Sequence, residues 1–135
     1  PPQASILLSI ADRHKEEAKR MIQILAASGC KFYATRGTAD IIKEAGLHVT
    51  AVPKRLEEGH PNVVDIIING TVDAVINTVT GAHEVLQDGF QIRRAAVARQ
   101  IPCFTSLDTA YAATESLVQN YVDYNIKPLR EYLGK

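Results

Sequence analysis

The sequence predicts an α/β fold in which helices cover both faces of a parallel sheet, giving three layers. Short apolar runs alternate with stretches of helical periodicity along the chain, as expected for repeated strand–helix units. The apolar runs are continuous, which is typical of strands buried on both sides. With 135 residues, of which 46% are apolar, the chain suits a single domain with one core.

The first two strand–helix units have the clearest patterns. Residues 5–10 form the first apolar run, and residues 15–28 place apolar side chains at i, i+3, i+4, i+7 and i+8, which is one helical stripe. The second strand is predicted over 31–34. A short helix follows it, with Thr38 as the predicted N-cap and Gly46 as its end.

The second half of the chain continues the alternation and brings the predicted sheet to five strands. The remaining strands are predicted over residues 48–52, 72–76 and 102–104. The remaining helices are predicted over residues 63–69, 91–100 and 108–121. Pro61 is interpreted as a first-turn proline and Asp108 as an N-cap. Residues 123–135 have the weakest pattern and are compatible with one last short helix.

The charge balance argues against an overall positive field on this chain. Lys and Arg total 15, as do Asp and Glu, so we expect no binding to nucleic acid or to an anionic membrane, and any phosphate site must be local. No apolar run approaches the ~20 residues of a membrane span, and no leader opens the chain. We therefore expect a cytoplasmic domain, cut from a longer chain, with Cys30 and Cys103 as reduced, buried thiols.

Polar segments follow all five predicted strands. Because the carboxyl ends of parallel strands meet at one edge of the sheet, where ligands bind, these segments are the candidate site. They are residues 11–15, 35–38, 53–54, 77–78 and 105–106.

The turn over residues 35–38 (TRGT) is the most specific of these segments. Gly37 would let backbone amides approach an anion, while the hydroxyls and the following helix N-terminus add donors. An ordinary glycine turn before a helix explains the same residues. Lys15 and Lys54 could each neutralise a phosphate, or could be solvated lysines.

Other polar residues allow more than one interpretation. Asn77 could bind a ligand or could satisfy the turn after its strand. Arg93 and Arg94 are predicted at the start of a helix, where a cation opposes the dipole and an anionic counterpart is expected.

Two groups suggest acid–base catalysis, namely His14 beside Asp12, and His83 with Glu84 and Asp88. Surface placement is the simpler interpretation of both groups. The sequence lacks a metal-ligand pattern, a nucleophile elbow and a dinucleotide or Walker motif. We therefore predict no catalytic residue, no metal and no cofactor in the domain.

Four motifs together resemble the methylglyoxal-synthase-like domain family, and more narrowly the C-terminal allosteric domain of carbamoyl-phosphate synthetase large subunits. The motifs lie at residues 9–15 (SIADRHK), 34–39 (ATRGTA), 75–78 (VINT) and 92–94 (IRR), in the family's order. The similarity extends over residues 6–117, and it implies a five-stranded parallel sheet of order 3-2-1-4-5.

The resemblance also implies a site for the phosphate of a nucleotide effector, with UMP, IMP and phosphoribosyl pyrophosphate as the effectors suggested. The residues it implies for this site are Lys15, Thr35, Gly37, Thr38, Lys54, Asn77 and Thr78. Thr80 is an alternative to Thr78, and Arg93 and Arg94 are possible additional contacts. Such a domain would regulate carbamoyl phosphate synthesis for the pyrimidine and arginine pathways.

The partners implied are the other domains of the large subunit and the glutaminase small subunit, in a parent ligase that uses ATP with Mg or Mn. A methylglyoxal synthase-type lyase acting on dihydroxyacetone phosphate is the alternative. Ala11 stands where such enzymes have a catalytic His, and residues 53–62 lack their Gly-Gly-Asp segment. A relative of the purine-pathway cyclohydrolase domain is a third possibility, although its Lys-Thr-rich segment is missing.

Overall fold

The computed structural model describes residues 4–53, 59–78 and 83–116. Five parallel strands form one sheet in the order β3-β2-β1-β4-β5. The strands are β1 (Ser5–Ser9), β2 (Lys31–Ala34), β3 (Thr50–Ala51), β4 (Ala74–Asn77) and β5 (Cys103–Phe104). The α/β class and the strand order 3-2-1-4-5 are thus confirmed.

In the described residues, five helices connect and follow the strands. They are α1 (Lys15–Ala27), α2 (Arg36–Glu44), α3 (Val63–Ile68), α4 (His83–Ala98) and α5, which covers residues 107–116. A 3-10 turn at Asp12–His14 leads from β1 into α1. Gly29 and Gly46, with φ of 86° and 79°, adopt the left-handed conformation that ends α1 and α2 where the sequence predicted.

The sheet separates two apolar clusters, which gives the three layers. On one face, Leu8 packs with the buried stripe of α1 and with residues of α2 and α5. On the other face, Leu7 packs with residues of α3 and α4. Neighbouring residues of β1 thus enter different clusters because side chains alternate along a strand.

Two elements differ most in extent from the predictions, and most other boundaries lie within about two residues. β3 has two residues rather than five, since it is an edge strand that pairs with β2 alone, and both of its residues are exposed. α4 begins at His83 rather than at residue 91. Gly89 weakens the helical pattern there, so local propensity does not indicate the first turns of the helix.

Three cap predictions were wrong. Thr38 is the third residue of α2, and Thr35 holds the N-cap position. α3 begins after Pro61, because Asn62 forms a capping box with Asp65. In α5 the residue before the helix, Ser106, accepts a hydrogen bond from the Thr109 N–H at 3.3 Å, so Asp108 lies inside the first turn. The predicted helical stretch over 117–121 and the tail 123–135 lie outside the described residues.

Candidate functional site

A cavity of about 260 Å³ opens at the carboxyl ends of β1 and β2 and after β3. It contains four of the predicted phosphate-site residues: Lys15, Thr35, Gly37 and Thr38. The other residues of its lining are Ser9, Ile10, Asp12, Arg36, Val52 and Pro53. The segments after three strands therefore contribute to one site, as the parallel topology requires.

The Lys15 ammonium lies directly over the first turn of α2. A Cβ atom added to Gly37 would be 2.7 Å from Lys15 Nζ. At this distance the Lys15 side chain would have to move. The Lys15 side chain is only 22% exposed, and its Nζ is 2.5 Å from Oδ1 of Asp12. Glycine at position 37 is therefore what lets the ammonium approach the amino end of this helix.

The amino end of α2 adds further positive potential. The first intrahelical acceptor is the Thr35 carbonyl, which accepts from the Ala39 N–H at 2.7 Å. The N–H groups of the first turn, including Gly37, have no partner within the helix. Together with the helix dipole, they favour an anion beside the Lys15 ammonium.

Two threonine hydroxyls reinforce this arrangement. Thr38 is buried, and its Oγ1 accepts from the Ile10 N–H at 2.9 Å. Thr35 Oγ1 is 3.4 Å from both Ser9 Oγ and Thr38 Oγ1. Because a hydroxyl that accepts through a lone pair keeps its own proton, Thr38 can still donate toward the cavity. Its bond to Ile10 also fixes the end of β1 against α2.

Asn77 and Thr78 lie beside the end of β1, next to the residues that line the cavity. Thr78 Oγ1 accepts from the Ala11 N–H at 2.8 Å. Asn77 is opposite Ser9 in the sheet register and is 1% exposed. Within the described parts of the chain its Nδ2 has no hydrogen-bond partner. An unpaired buried amide donor is costly, although Asn77 itself is not part of the cavity lining.

The remaining predicted residues divide into two groups. Lys54 and Thr80, and the side chains of His83, Glu84 and Asp88, lie outside what the structure describes. Arg93 and Arg94 lie in the second half of α4, so the prediction that they begin a helix was wrong. Neither lines the cavity.

The two cysteines are free thiols, both partly buried. Burial raises the pKa of Cys30, and it raises the pKa of Cys103 despite the opposing charge of Arg93. A raised pKa lowers the thiolate fraction, so both thiols are poor nucleophiles. The sequence predicted buried thiols, whereas both are only partly buried.

Sequence reasoning missed Arg36 as a lining residue and missed the ion pair of Asp12. The surface placement preferred for Asp12 is confirmed, since its side chain is 92% exposed, and its partner is Lys15 rather than His14. The hydrogen bond from Lys15, and then the charge of Lys15, lower the pKa of the Asp12 carboxyl. The i, i+3 spacing of Asp12 and Lys15 was the available signal for this ion pair.

The described residues include no group of three or more His, Cys, Asp or Glu side chains arranged to hold a metal ion. None of the helices described is both long and apolar enough to cross a membrane.

Two features define the class of this protein: the strand order of its α/β sheet, and a cationic site at the carboxyl ends of the strands. Residues 17–105 match the family model of the MGS-like domain, and the chain belongs to that family. In the solved structures, the crystal structure of methylglyoxal synthase from Elizabethkingia anophelis NUHP1 has a TM-score of 0.68, covering 84% of this chain and 78% of that chain. The identity is 22%, so this likeness concerns the fold.

The curated relatives are more particular. The chain is similar to the carbamoyl phosphate synthase large chain of Thermomicrobium roseum, with 40% identity over 96% of this chain, and to that of Clostridium botulinum strain Loch Maree, with 45% over 80%. It is also similar to the C-terminal section of the large chain from Methanopyrus kandleri, with 38% identity over 87%. The chain spans 12%, 10% and 21% of these three relatives.

Proposed function

We propose that this chain is a single regulatory domain of a carbamoyl phosphate synthase large chain, and that its cavity binds the phosphate group of a nucleotide effector. The observation that carries the proposal is the Lys15 ammonium held over Gly37 at the amino end of α2. A lysine, free helical N–H groups and threonine hydroxyls are donors suited to a phosphate.

The surroundings of the cavity support a phosphate rather than a small neutral ligand. The chain has no net charge, so an anion would be attracted by local donors rather than by the overall charge. Among the described residues the buried amide of Asn77 has no hydrogen-bond partner, and it lies one strand away from the cavity, at the end of β4, where it could reach the sugar or the phosphate of a bound nucleotide. Lys54 and Thr78 complete the proposed set of contacts, with Thr80 as the alternative to Thr78.

Regulation is the role that fits a small domain within a much longer chain. An effector that binds one conformation more tightly shifts the equilibrium of the whole protein. Under this proposal the partners are the remaining domains of the large chain and the glutaminase small subunit, ATP and Mg or Mn act elsewhere in that chain, and the cytoplasm is the compartment. UMP, IMP and phosphoribosyl pyrophosphate are the effectors to test.

The lowered pKa of Asp12 makes this carboxylate a poor candidate for the base of a methylglyoxal synthase-type lyase. Proton abstraction is most efficient with a base whose pKa lies near the working pH. Asp12 is the carboxylate of the described cavity lining, and Lys15 lowers its pKa. An anion-binding role for Lys15 is therefore the better explanation of this pair.

The test is calorimetric titration of the 135-residue chain with UMP, IMP and phosphoribosyl pyrophosphate, using wild type and Lys15→Ala. We expect saturable binding of one effector, weakened about tenfold or more in the variant by loss of a charge-assisted contact. Lys19→Ala is the matched control, because Lys19 is on the same helix and also has an i, i+3 carboxylate partner, Glu16.

If none of the three effectors binds wild type, the proposal is wrong for this chain. Equal weakening by Lys15→Ala and Lys19→Ala would show that general charge, rather than this cavity, attracts the ligand.

A further inference from the structure

The Lys15 ammonium lies between a positive helix end and a negative carboxylate. On one side it approaches the amino end of α2 at Gly37, where the helix dipole is positive and repels it. On the other side it contacts the Asp12 carboxylate at 2.5 Å. The carboxylate therefore offsets this repulsion when no ligand is bound, a role that the negative charge of a bound phosphate would take over.

We propose that Asp12 is a built-in competitor for the anion in this cavity: its carboxylate holds Lys15 over α2 and must release the ammonium to a phosphate. This inference rests on the proposed function and adds a residue that sets the affinity of the same site. Asp12 lines the cavity together with Lys15 and Gly37, so a bound phosphate and this carboxylate face the same ammonium.

Competition requires that Asp12 be able to leave. Its side chain is 92% exposed, whereas that of Lys15 is 22% exposed. The carboxylate can therefore rotate into water without losing buried contacts, while the ammonium stays in the cavity. Asp12 begins the 3-10 turn that joins β1 to α1, so rotation of this one side chain leaves the sheet and α2 in place.

The size of the effect follows from the strength of exposed ion pairs. Breaking such a pair typically changes an equilibrium by roughly two- to fivefold, and repulsion between the carboxylate and a phosphate acts in the same direction. Asp12→Asn keeps the size and removes the charge. We expect this variant to bind UMP and inorganic phosphate about two- to fivefold more tightly than wild type at low salt, with a smaller gain at high salt.

The chain contains a matched control for this change. Glu16 and Lys19 form a second i, i+3 ion pair, at 2.8 Å, and neither residue lines the cavity. Glu16→Gln removes the same charge from the same part of the molecule. If Asp12 acts by competition within the cavity, Glu16→Gln binds like wild type.

The experiment is an NMR titration of the 135-residue wild type, Asp12→Asn and Glu16→Gln with UMP and with inorganic phosphate, monitored at the Gly37 amide. Tighter binding by Asp12→Asn alone supports the inference. Equal or weaker binding by Asp12→Asn overturns it and leaves the proposed function standing, as does equal tightening in both variants. If none of the three proteins binds UMP or inorganic phosphate, the inference is overturned, and the proposed function falls with it only if IMP and phosphoribosyl pyrophosphate also fail to bind wild type.

Discussion

At Gly37 a side-chain contact, rather than the backbone conformation, constrains which residue the position can accept. It lies in the first turn of α2, and an added Cβ atom would meet the far end of the Lys15 side chain. The obstacle is thus a flexible group rather than a rigid one. Substitution at Gly37 should therefore affect where the ammonium lies more than whether the domain folds.

We predict that Gly37→Ala separates stability from binding. Alanine is the better helix former by up to about 1 kcal/mol, so the Tm should stay the same or rise slightly. The displaced ammonium should weaken UMP binding by about fivefold, since a charge-assisted contact is strained or lost. Thermal unfolding and calorimetric titration of the same samples measure the two effects.

A double-mutant cycle tests whether Gly37→Ala weakens UMP binding by displacing Lys15. If Gly37 acts through Lys15, then Gly37→Ala should have little further effect on binding in a Lys15→Ala background. A full additional loss in that background would mean that the new methyl group blocks the ligand itself.

The site residues that sequence could identify were those tied to strand ends. Lys15, Thr35, Gly37 and Thr38 follow β1 and β2, and the parallel topology brings them together. Arg93 was expected to begin a helix, which was wrong because α4 begins at His83; it does not line the cavity, and its contact with an effector stays a prediction. The contact between Lys15 and Asp12 depends on side-chain rotation, which periodicity does not report.

At the scale of elements, α3 is a helix of six residues whose amino end is fixed by side chains. Asn62 accepts from the Asp65 N–H at 3.1 Å, and the Asp65 carboxylate accepts from the Asn62 N–H at 2.9 Å. His60 Nδ1 is 2.5 Å from the same carboxylate. Such a short helix depends on its cap and its packing more than on propensity.

We predict that this cap makes stability sensitive to acid. The Asn62 N–H, and then His60, lower the pKa of the Asp65 carboxyl from its usual value of 3.8. A lowered folded-state pKa means that the stabilisation is complete above about pH 4 and is lost as pH falls through the folded value. Urea unfolding of wild type and Asp65→Asn should therefore differ at pH 7, with wild type more stable, and the difference should shrink by pH 3.

Asp40→Asn is the control, because Asp40 is an exposed carboxylate on α2 and forms no part of the α3 cap. A difference between wild type and Asp65→Asn that persists unchanged at pH 3 would show that the ionised carboxylate is not what stabilises the cap.

The burial of each strand explains which elements could be predicted from sequence. The central strands β1 and β4 have long apolar runs because both of their faces are covered, and they lie close to their predicted positions. β3 is an edge strand with two exposed residues. The strand predicted over residues 48–52 is therefore longer than the part that pairs with β2. Caps were predicted poorly because Ser, Thr and Asp stand near several helix starts, and tertiary contacts decide which of them bonds.

At the scale of the whole molecule, the single core expected from composition is two clusters joined through the sheet. Leu7 and Leu8 are both 0% exposed, yet they belong to opposite clusters. Because β1 is the middle strand and pairs with both β2 and β4, loss of either cluster would disturb the same strand. We therefore expect the two layers to unfold as one cooperative unit.

The prediction is that Leu7→Ala and Leu8→Ala each lower the free energy of unfolding by about 2–5 kcal/mol without separating the layers. The two cysteines report on the two sides, because Cys30 packs against the cluster of Leu8 and Cys103 against the cluster of Leu7. Pulsed thiol labelling in increasing urea, read by mass spectrometry, measures each side in one sample. In Leu8→Ala both thiols should become reactive at one shared, lower urea concentration. If Cys30 reacts well before Cys103 there, β1 does not couple the two layers, and a ligand at the end of β1 would stabilise one layer without the other.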